Sequence, residues 1–179
     1  GPVVVDEKTG EAAPAITPSR FGGKRTPIDL KSQTESAIKT IQPQMLEWRR
    51  HFHQHPELSN REVNTAKKVA DHLRSLGLEV QTGIAHHGVL GVLKGAKPGP
   101  TVALRADMDA LPVTEQVDLP FASKVRSTFN GQDVGVMHAC GHDAHTAMLM
   151  ATASVLTKLK ANVSVSASHT IPSTLLISV

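Results

Sequence analysis

The chain has 179 residues, which is enough for one ordinary domain with a hydrophobic core. Nineteen Lys and Arg against sixteen Asp and Glu leave a formal charge of only +3, and the chain has one Trp, four Phe and no Tyr, so its composition argues against a nucleic-acid-binding protein. No apolar run approaches the ~20 residues of a membrane-spanning helix, and the single Cys excludes an internal disulfide.

Residues 1–43 are predicted to be a disordered or loosely docked leader. This stretch contains several prolines and the pair Gly22-Gly23, and it has no sustained apolar period. A helix is expected to begin near Gln44, because Met45, Leu46, Arg49 and Phe52 fit one helical stripe, and Pro56 ends it. The polar leader is compatible with an exported precursor and equally with a cytoplasmic protein.

A second helix is the clearest local prediction in the chain. Ser59 and Glu62 have the spacing of a capping box, in which each side chain caps the backbone amide of the other residue. Apolar residues then recur every three or four positions from Val63 to Leu76, and Gly77 follows where a glycine commonly ends a helix.

Three short strands are predicted next, over residues 78–81, 89–93 and 101–105. The third is apolar without alternation, which favours burial on both faces. A long helix is expected over residues 144–160, which are rich in Ala, Met and Leu. The order of helix, strands and helix predicts an α/β layered domain.

The last segment, residues 161–179, differs in composition from the rest of the chain. It is rich in Ser, Thr and Val, and we interpret it as a divergent tail. Val163, Val165 and residues 175–179 are compatible with β-strands. No chemistry is encoded in this segment.

The segment from His138 to His145 is the most informative for function. It contains four side chains that can bind metal and one carboxylate, namely His138, Cys140, His142, Asp143 and His145. In an extended loop Cys140 and His142 point the same way, and a thiolate with an imidazole favours zinc or a neighbouring first-row metal. The alternative is a polar loop whose histidines cap the following helix.

Asp107 and Asp109 follow the third predicted strand, and ligands bind at the carboxyl ends of strands in open α/β sheets. Either carboxylate could orient a histidine or support a metal from the second shell, and the alternative is a turn in which Asp caps backbone amides. His51 and His55 have i, i+4 spacing but do not form an HExxH pattern, so we favour a packing or surface role for them.

Three motifs occur together and in order. They are His53-Gln54-His55-Pro56-Glu57-Leu58-Ser59, the run from Ala103 to Pro112, and Met137-His138-Ala139-Cys140-Gly141-His142-Asp143-Ala144-His145. From about Met45 to Lys160 the chain resembles the N-terminal part of the carboxypeptidase–aminoacylase family of metallopeptidases. The similarity is greatest to the amidohydrolase branch, which includes hippurate hydrolase and the indole-acetyl-amino-acid hydrolases.

The resemblance implies a three-layer α/β/α zinc-peptidase-like catalytic domain, of which residues 44–160 are the N-terminal part and from which the lid domain is absent. It implies two divalent metal ions (Zn, Mn or Co), with Cys140 and His142 as ligands and with Asp107 as a catalytic residue that supports the metal centre. The implied substrates are small N-acyl amino acids or related amides. Neither a nucleic acid nor a membrane is an implied partner, and a homodimer is implied only for full-length relatives.

One departure from the family changes the expected activity. Relatives continue into a Glu-Glu pair that supplies the general base and a ligand, whereas this sequence has no Glu after Asp143. The 179-residue chain is therefore expected to be a fragment with little or no turnover. The alternatives are a non-catalytic metal-binding remnant or interaction module and, less favoured, an enzyme with Cys140 as nucleophile.

Overall fold

Three helices and a mixed β-sheet make up most of the structure, a computed structural model that describes residues 29–98, 101–162, 164–165 and 174–178. The helices are α1 (Leu30–Gln54), α2 (Val63–Ser75) and α3 (His142–Lys158), and a 3₁₀ turn covers Lys160–Asn162. The strands are β1 (Glu79–Ile84), β2 (Gly88–Lys94), β3 (Lys97–Pro98), β4 (Val102–Arg105), β5 (Arg126–Phe129), β6 (Gln132–Gly135), β7 (Ser164–Val165) and β8 (Thr174–Ser178).

Helix α1 is much longer than the sequence pattern predicted. It begins at Leu30, where the Asp29 carboxylate accepts a hydrogen bond from the Ser32 amide at 3.2 Å. The prediction that residues 30–43 belong to a disordered leader is therefore wrong, and residues 1–28 of that leader lie outside the described residues.

Tertiary packing explains the additional turns of α1. Ala37 is buried, and with Ile41 it packs against Val155 and Leu159 near the end of α3. Pro43 lies within the helix and lacks the amide hydrogen that would bond to the preceding turn. The contact between the two helices offsets this local defect.

Helix α2 is present but begins at Val63, later than a cap at Ser59 predicts, and a different residue is its N-cap. Glu62 is the N-cap and makes no side-chain capping bond, so the predicted capping by Ser59 is wrong. The Glu57 carboxylate instead accepts hydrogen bonds from the amides of Asn64 (3.1 Å) and Thr65 (2.8 Å). A carboxylate at this end also complements the positive end of the helix dipole.

The main sheet has the order β1-β2-β8-β4. The hairpin of β1 and β2 is antiparallel, and β8 lies antiparallel to β2 and parallel to β4. All three predicted strands are present, within two or three residues at their ends. Residues 174–178, which the sequence analysis assigned to a tail, therefore form an inner strand of this sheet.

Strand β4 is less buried than its apolar sequence predicted. Val102 is 44% exposed, because β4 is the last strand of the sheet among the described residues. The expectation of burial on both faces is therefore wrong here. Its carboxyl end nevertheless leads directly to Asp107 and Asp109, as predicted.

The hairpin β5–β6 was not predicted. Asn130 and Gly131 join its strands, and both have positive φ angles, of 50° and 76°. Such angles at two consecutive residues are typical of the type I′ turn, which Asn-Gly favours. Arg126 lies 2.7 Å from Asp133 across this hairpin.

One hydrophobic core joins the three helices to the sheet. Phe52 of α1, Leu73 of α2 and Met150 of α3 are almost fully buried and belong to the same cluster as Val89 and Leu93 of β2. The described residues thus supply the sheet and one helical layer of the predicted α/β architecture. Within this part of the chain, none of the helices has the length and apolar composition required to cross a bilayer.

Candidate metal centre

Backbone pairing brings the two most informative motifs together. Leu111 and Met137 exchange hydrogen bonds, each amide donating to the other carbonyl at 3.0 Å. This bridge places the segment after Asp109 beside the segment before Cys140. The two motifs therefore meet, although about 30 residues separate them in sequence.

A left-handed glycine connects the two predicted metal ligands. Gly141 has φ of +81° and ψ of 18° and precedes His142, the first residue of α3. Its carbonyl accepts from the amides of Ala144 (3.0 Å) and His145 (3.2 Å). A side chain at this position would strain the backbone, so Gly141 allows an exposed Cys140 to lie just before the helix.

Asp109 fixes the orientation of the His142 ring. The Nδ1 atom of His142 lies 2.9 Å from the Asp109 Oδ1 atom and 3.0 Å from the Asp109 carbonyl oxygen. With the Nδ1 hydrogen donated to these oxygens, the lone pair of Nε2 remains free. A carboxylate behind a histidine in this way is the usual support of a metal-ligating imidazole.

Asp107, the predicted catalytic residue, does not contact His142 through its carboxylate. Its Oδ1 atom lies 2.7 Å from Arg105 Nη2, and its carbonyl oxygen accepts from the Thr146 hydroxyl at 3.1 Å. The side chain is 47% exposed. It lines a surface cleft of about 340 Å³ together with Asp109 and Glu62, so both aspartates border one cleft.

His138, two residues before Cys140, is a buried histidine. It is 4% exposed, and both of its ring nitrogens lack a hydrogen-bond partner. Burial lowers the pKa of His138 to about 4, although the carboxylates of Asp143 and Asp109 oppose the shift. The ring is therefore neutral near pH 7.

A group of charged side chains surrounds Asp143 at the start of α3, and the sequence did not predict this group. Asp143 Oδ2 lies 2.9 Å from Arg49 Nε and 2.8 Å from His53 Nδ1, and His53 Nε2 lies 3.0 Å from Glu115 Oε1. We call Arg49, His53, Glu115 and Asp143 the ion cluster. Two of its members lie in the motifs quoted above, His53 in the first and Asp143 in the third, but neither motif indicates that these residues pair or that Arg49 and Glu115 join them.

Glu115 remains ionised in this setting. Burial raises its pKa, but the hydrogen bonds from His53 and from the Ser123 amide outweigh that effect, so the pKa lies below its ordinary value. The Ser123 amide donates to Glu115 Oε2, and the Ser123 hydroxyl donates to the carbonyl of Val136 at 2.6 Å.

His51 and His55 lie apart from this centre. Their ring centroids are 4.8 Å apart, and both side chains are exposed beside a groove of about 770 Å³. Burial and the neighbouring Lys68 lower the pKa of His51. Their exposed position agrees with the surface role favoured from sequence.

The donor chemistry at Cys140 and His142 fits part of a metal site. A thiol and an imidazole are ligands that zinc and its neighbours prefer, but catalytic zinc usually has three protein ligands. Within the described residues, no group of three or more His, Cys, Asp and Glu side chains is arranged to hold a metal ion. A complete site requires donors from beyond this part of the chain.

Comparisons with known proteins agree with this geometry. The family described as peptidase family M20/M25/M40 matches residues 103–170, which contain both aspartates and both predicted ligands. Thermostable carboxypeptidase 1 of Saccharolobus solfataricus is 49% identical over 134 residues, which are 74% of this chain and 32% of that protein. The N-acyl-L-amino acid amidohydrolase of Geobacillus stearothermophilus is 42% identical over 73% of this chain and 33% of its own length.

A solved structure extends the likeness to the fold. The Bacillus subtilis YXEP protein, described as a dinuclear metal binding peptidase from the M20 family, superposes with a TM-score of 0.65 at 39% identity. The chain belongs to the M20 family of peptidases. The predicted family and the predicted α/β fold are thereby confirmed.

The M20 similarity covers most of this chain but a minor part of its relatives. The chain spans about a third of the length of the curated relatives it matches. The family match ends at residue 170 and so continues past residue 160, where the sequence analysis placed the end of the resemblance. His169, to which the sequence analysis gave no ligand role, lies outside the described residues.

Proposed function

We propose that this chain is part of a metal-dependent M20 amidohydrolase that cleaves the amide bond of N-acyl amino acids or related small amides. The names of the relatives support the reaction class, since they include a carboxypeptidase and an N-acyl-L-amino acid amidohydrolase. A homodimer is part of the proposal only for full-length members.

The contact between His142 and Asp109 carries this proposal. It occupies Nδ1 at 2.9 Å and leaves Nε2 free, one glycine away from the exposed thiol of Cys140. The His142 side chain is only 16% exposed, and the carboxylate and the carbonyl oxygen of Asp109 both lie within hydrogen-bond distance of the same ring nitrogen. The arrangement is the one expected of an imidazole prepared for a cation.

Each residue has a distinct part in the proposed reaction. Divalent metal ions, two per complete site and of the Zn, Mn or Co type, polarise the scissile carbonyl and lower the pKa of a water molecule when bound. Cys140 and His142 supply two donors, and Asp109 holds the His142 ring. Asp107, which lines the same surface cleft as Asp109, is the catalytic carboxylate that supports the centre in this proposal.

The 179-residue chain by itself is expected to turn over little substrate. Cys140 and His142 supply two donors, and the described residues hold no group of three or more side chains arranged to bind a metal ion. The competing hypothesis is a metal-binding module without catalysis, which the small donor set favours. Metal stoichiometry separates the two: two tightly bound ions support an assembled site, and one weak ion or none supports the module.

Amino-acid release from N-acyl amino acids tests the reaction directly. The assay uses a complete M20 polypeptide that contains this sequence, with Zn²⁺, Mn²⁺ or Co²⁺ added. Cys140→Ala and His142→Ala should each abolish turnover, whereas Asp133→Ala, on the exposed hairpin, should leave it unchanged. Turnover that survives both ligand substitutions would contradict the site assignment.

A further inference from the structure

We propose that the ion cluster holds the segment from Cys140 to His142 in position, so that the contacts within the cluster determine how tightly Cys140 and His142 bind a metal ion. This inference rests on the proposed function, because it concerns the same two ligands. It assigns a role to Arg49, His53 and Glu115, none of which is near Cys140 or His142 in sequence.

The geometry of the cluster is closely defined. His53 is the central member, with one ring nitrogen 2.8 Å from Asp143 and the other 3.0 Å from Glu115. The side chains of these three residues are 6%, 1% and 2% exposed. A carboxylate can only accept, so the His53 ring is the donor in any hydrogen bond that it makes with Asp143 or Glu115.

The cluster joins the segments that form the metal centre. Asp143 directly follows His142 in the first turn of α3, so a contact to its carboxylate constrains that turn. Glu115 follows the bridge between Leu111 and Met137, which lies between the two motifs. His53 belongs to α1, and α1 therefore holds both sides of the centre through one imidazole ring.

The first turn of α3 has no side-chain cap at its amino end, where Gly141 is the N-cap. The Asp143 side chain is the buried polar group of the first turn, and it points to α1. Small rotations of this turn would move His142 relative to Asp109, so the contacts of Asp143 determine whether the ligands stay aligned.

The energetics of buried charge favour positioning over simple stabilisation. Burying ions costs about as much as their attraction returns, so such clusters add little net stability, but they disfavour alternative arrangements. Phe121 shields this cluster: its ring centroid lies 5.8 Å from that of His53 and 5.4 Å from the Arg49 guanidinium carbon. Because His53, Glu115 and Asp143 are buried, the directional contacts among these three side chains become more restrictive.

Cobalt titration of the full 179-residue chain tests the proposal. Co²⁺ bound to a thiolate gives a near-ultraviolet charge-transfer band, which reports ligation by Cys140 and yields the dissociation constant. His53→Gln and Glu115→Gln should weaken Co²⁺ binding by about 10- to 100-fold, the usual effect of removing support behind a metal ligand. Cys140→Ser should lose the band itself.

His72→Gln is the matched control. His72 also joins two helices, through a partly buried contact in which Nε2 donates to the Met150 carbonyl at 3.1 Å, and it contacts neither Cys140 nor His142. Its substitution should lower the thermal midpoint without weakening Co²⁺ binding. Arg49→Met provides a second test at a partly exposed position, and Arg49→Lys should restore part of the affinity.

The outcomes separate this inference from the proposed function. If the wild-type chain binds Co²⁺ with a thiolate band and the His53 and Glu115 variants bind it equally well, the positioning role is wrong and the metal site stands. If His72→Gln weakens Co²⁺ binding as much as His53→Gln does, the cluster has a structural role only. If the wild-type chain binds Co²⁺ without a thiolate band, the assignment of Cys140 as a ligand is wrong, and this inference fails with it, whereas the amidohydrolase activity is tested separately by the turnover assay.

Discussion

The choice between Asp107 and Asp109 is made by tertiary structure and not by local sequence. Both residues follow β4 and are two positions apart, so sequence reasoning could only say that either might orient a histidine. The bridge between Leu111 and Met137 brings Asp109 to His142, while Asp107 pairs with Arg105. Cys140 and His142 were recognisable because their residue types carry the chemistry themselves, whereas Glu115 carries no such signal.

Removing the Asp109 carboxylate should weaken metal binding. Asp109→Ala leaves His142 Nδ1 without its acceptor side chain, so the ring loses its fixed orientation, and Zn²⁺ affinity should fall about 10- to 100-fold. Competition with a chromophoric chelator measures this, with Asp133→Ala as the unaffected control. If Asp109→Ala binds Zn²⁺ as tightly as wild type, Asp109 does not support His142 as a metal ligand. For Asp107, a loss of turnover without a loss of bound metal in Asp107→Ala would support its catalytic role.

The pH dependence of stability provides a test at His72. Burial lowers the pKa of His72, and its hydrogen bond to the Met150 carbonyl opposes this only in part. The unfolded chain therefore binds more protons as the pH falls through about 6.5, and the free energy of unfolding should decrease below that pH. Urea denaturation at several pH values should show that the free energy of unfolding falls less at low pH for His72→Gln than for wild type. An equal fall in both would contradict the assignment of this pH dependence to His72.

At the scale of elements, the periodic spacing of apolar residues predicted which helices and strands exist better than it predicted where they begin and end or which residues cap them. Helix α2 and the hairpin of β1 and β2 follow from apolar spacing, but capping by Glu57 depends on a turn that returns a carboxylate to Asn64 and Thr65. The hairpin β5–β6 was predictable from Asn130-Gly131, and the sequence analysis missed it.

Glu57 and Ser59 distinguish the observed cap from the predicted one. Glu57→Ala removes the acceptor of two helical amides, and it should lower the free energy of unfolding by about 2 kcal/mol. Ser59→Ala should change it by less than about 0.5 kcal/mol, because Ser59 is exposed and Glu62 is the N-cap without its help. Urea denaturation of the two variants measures both values. A larger loss of stability for Ser59→Ala than for Glu57→Ala would support the predicted capping box.

At the scale of the whole molecule, two segments were assigned outside the domain because their local patterns are weak. The first turns of α1 contain few apolar residues, and the packing of Ala37 and Ile41 against the end of α3 stabilises this part of the helix together with the Asp29 cap. Strand β8 is separated from its partners β2 and β4 by at least 69 residues, counted from Arg105 to Thr174. Pairing over such distances in sequence is not visible in composition or periodicity.

The inner position of β8 predicts that its backbone is essential to the sheet. Leu176 pairs with Val92 of β2 and Ala103 of β4. Leu176→Pro removes a backbone donor from an inner strand and should prevent cooperative unfolding from a native baseline. Leu176→Ala retains the donor and is the matched control. Equal thermal midpoints for Leu176→Pro and Leu176→Ala would show that β8 contributes little to the fold.

Zinc K-edge X-ray absorption of the full chain tests the central claim most directly, since it counts sulfur and nitrogen neighbours of the bound ion. We predict one sulfur at about 2.3 Å and imidazole nitrogen at about 2.0 Å, the usual distances for Cys and His ligands. The sulfur shell should disappear in Cys140→Ser. A wild-type spectrum with nitrogen and oxygen neighbours only, unchanged by Cys140→Ser, would contradict a metal centre built on Cys140 and His142.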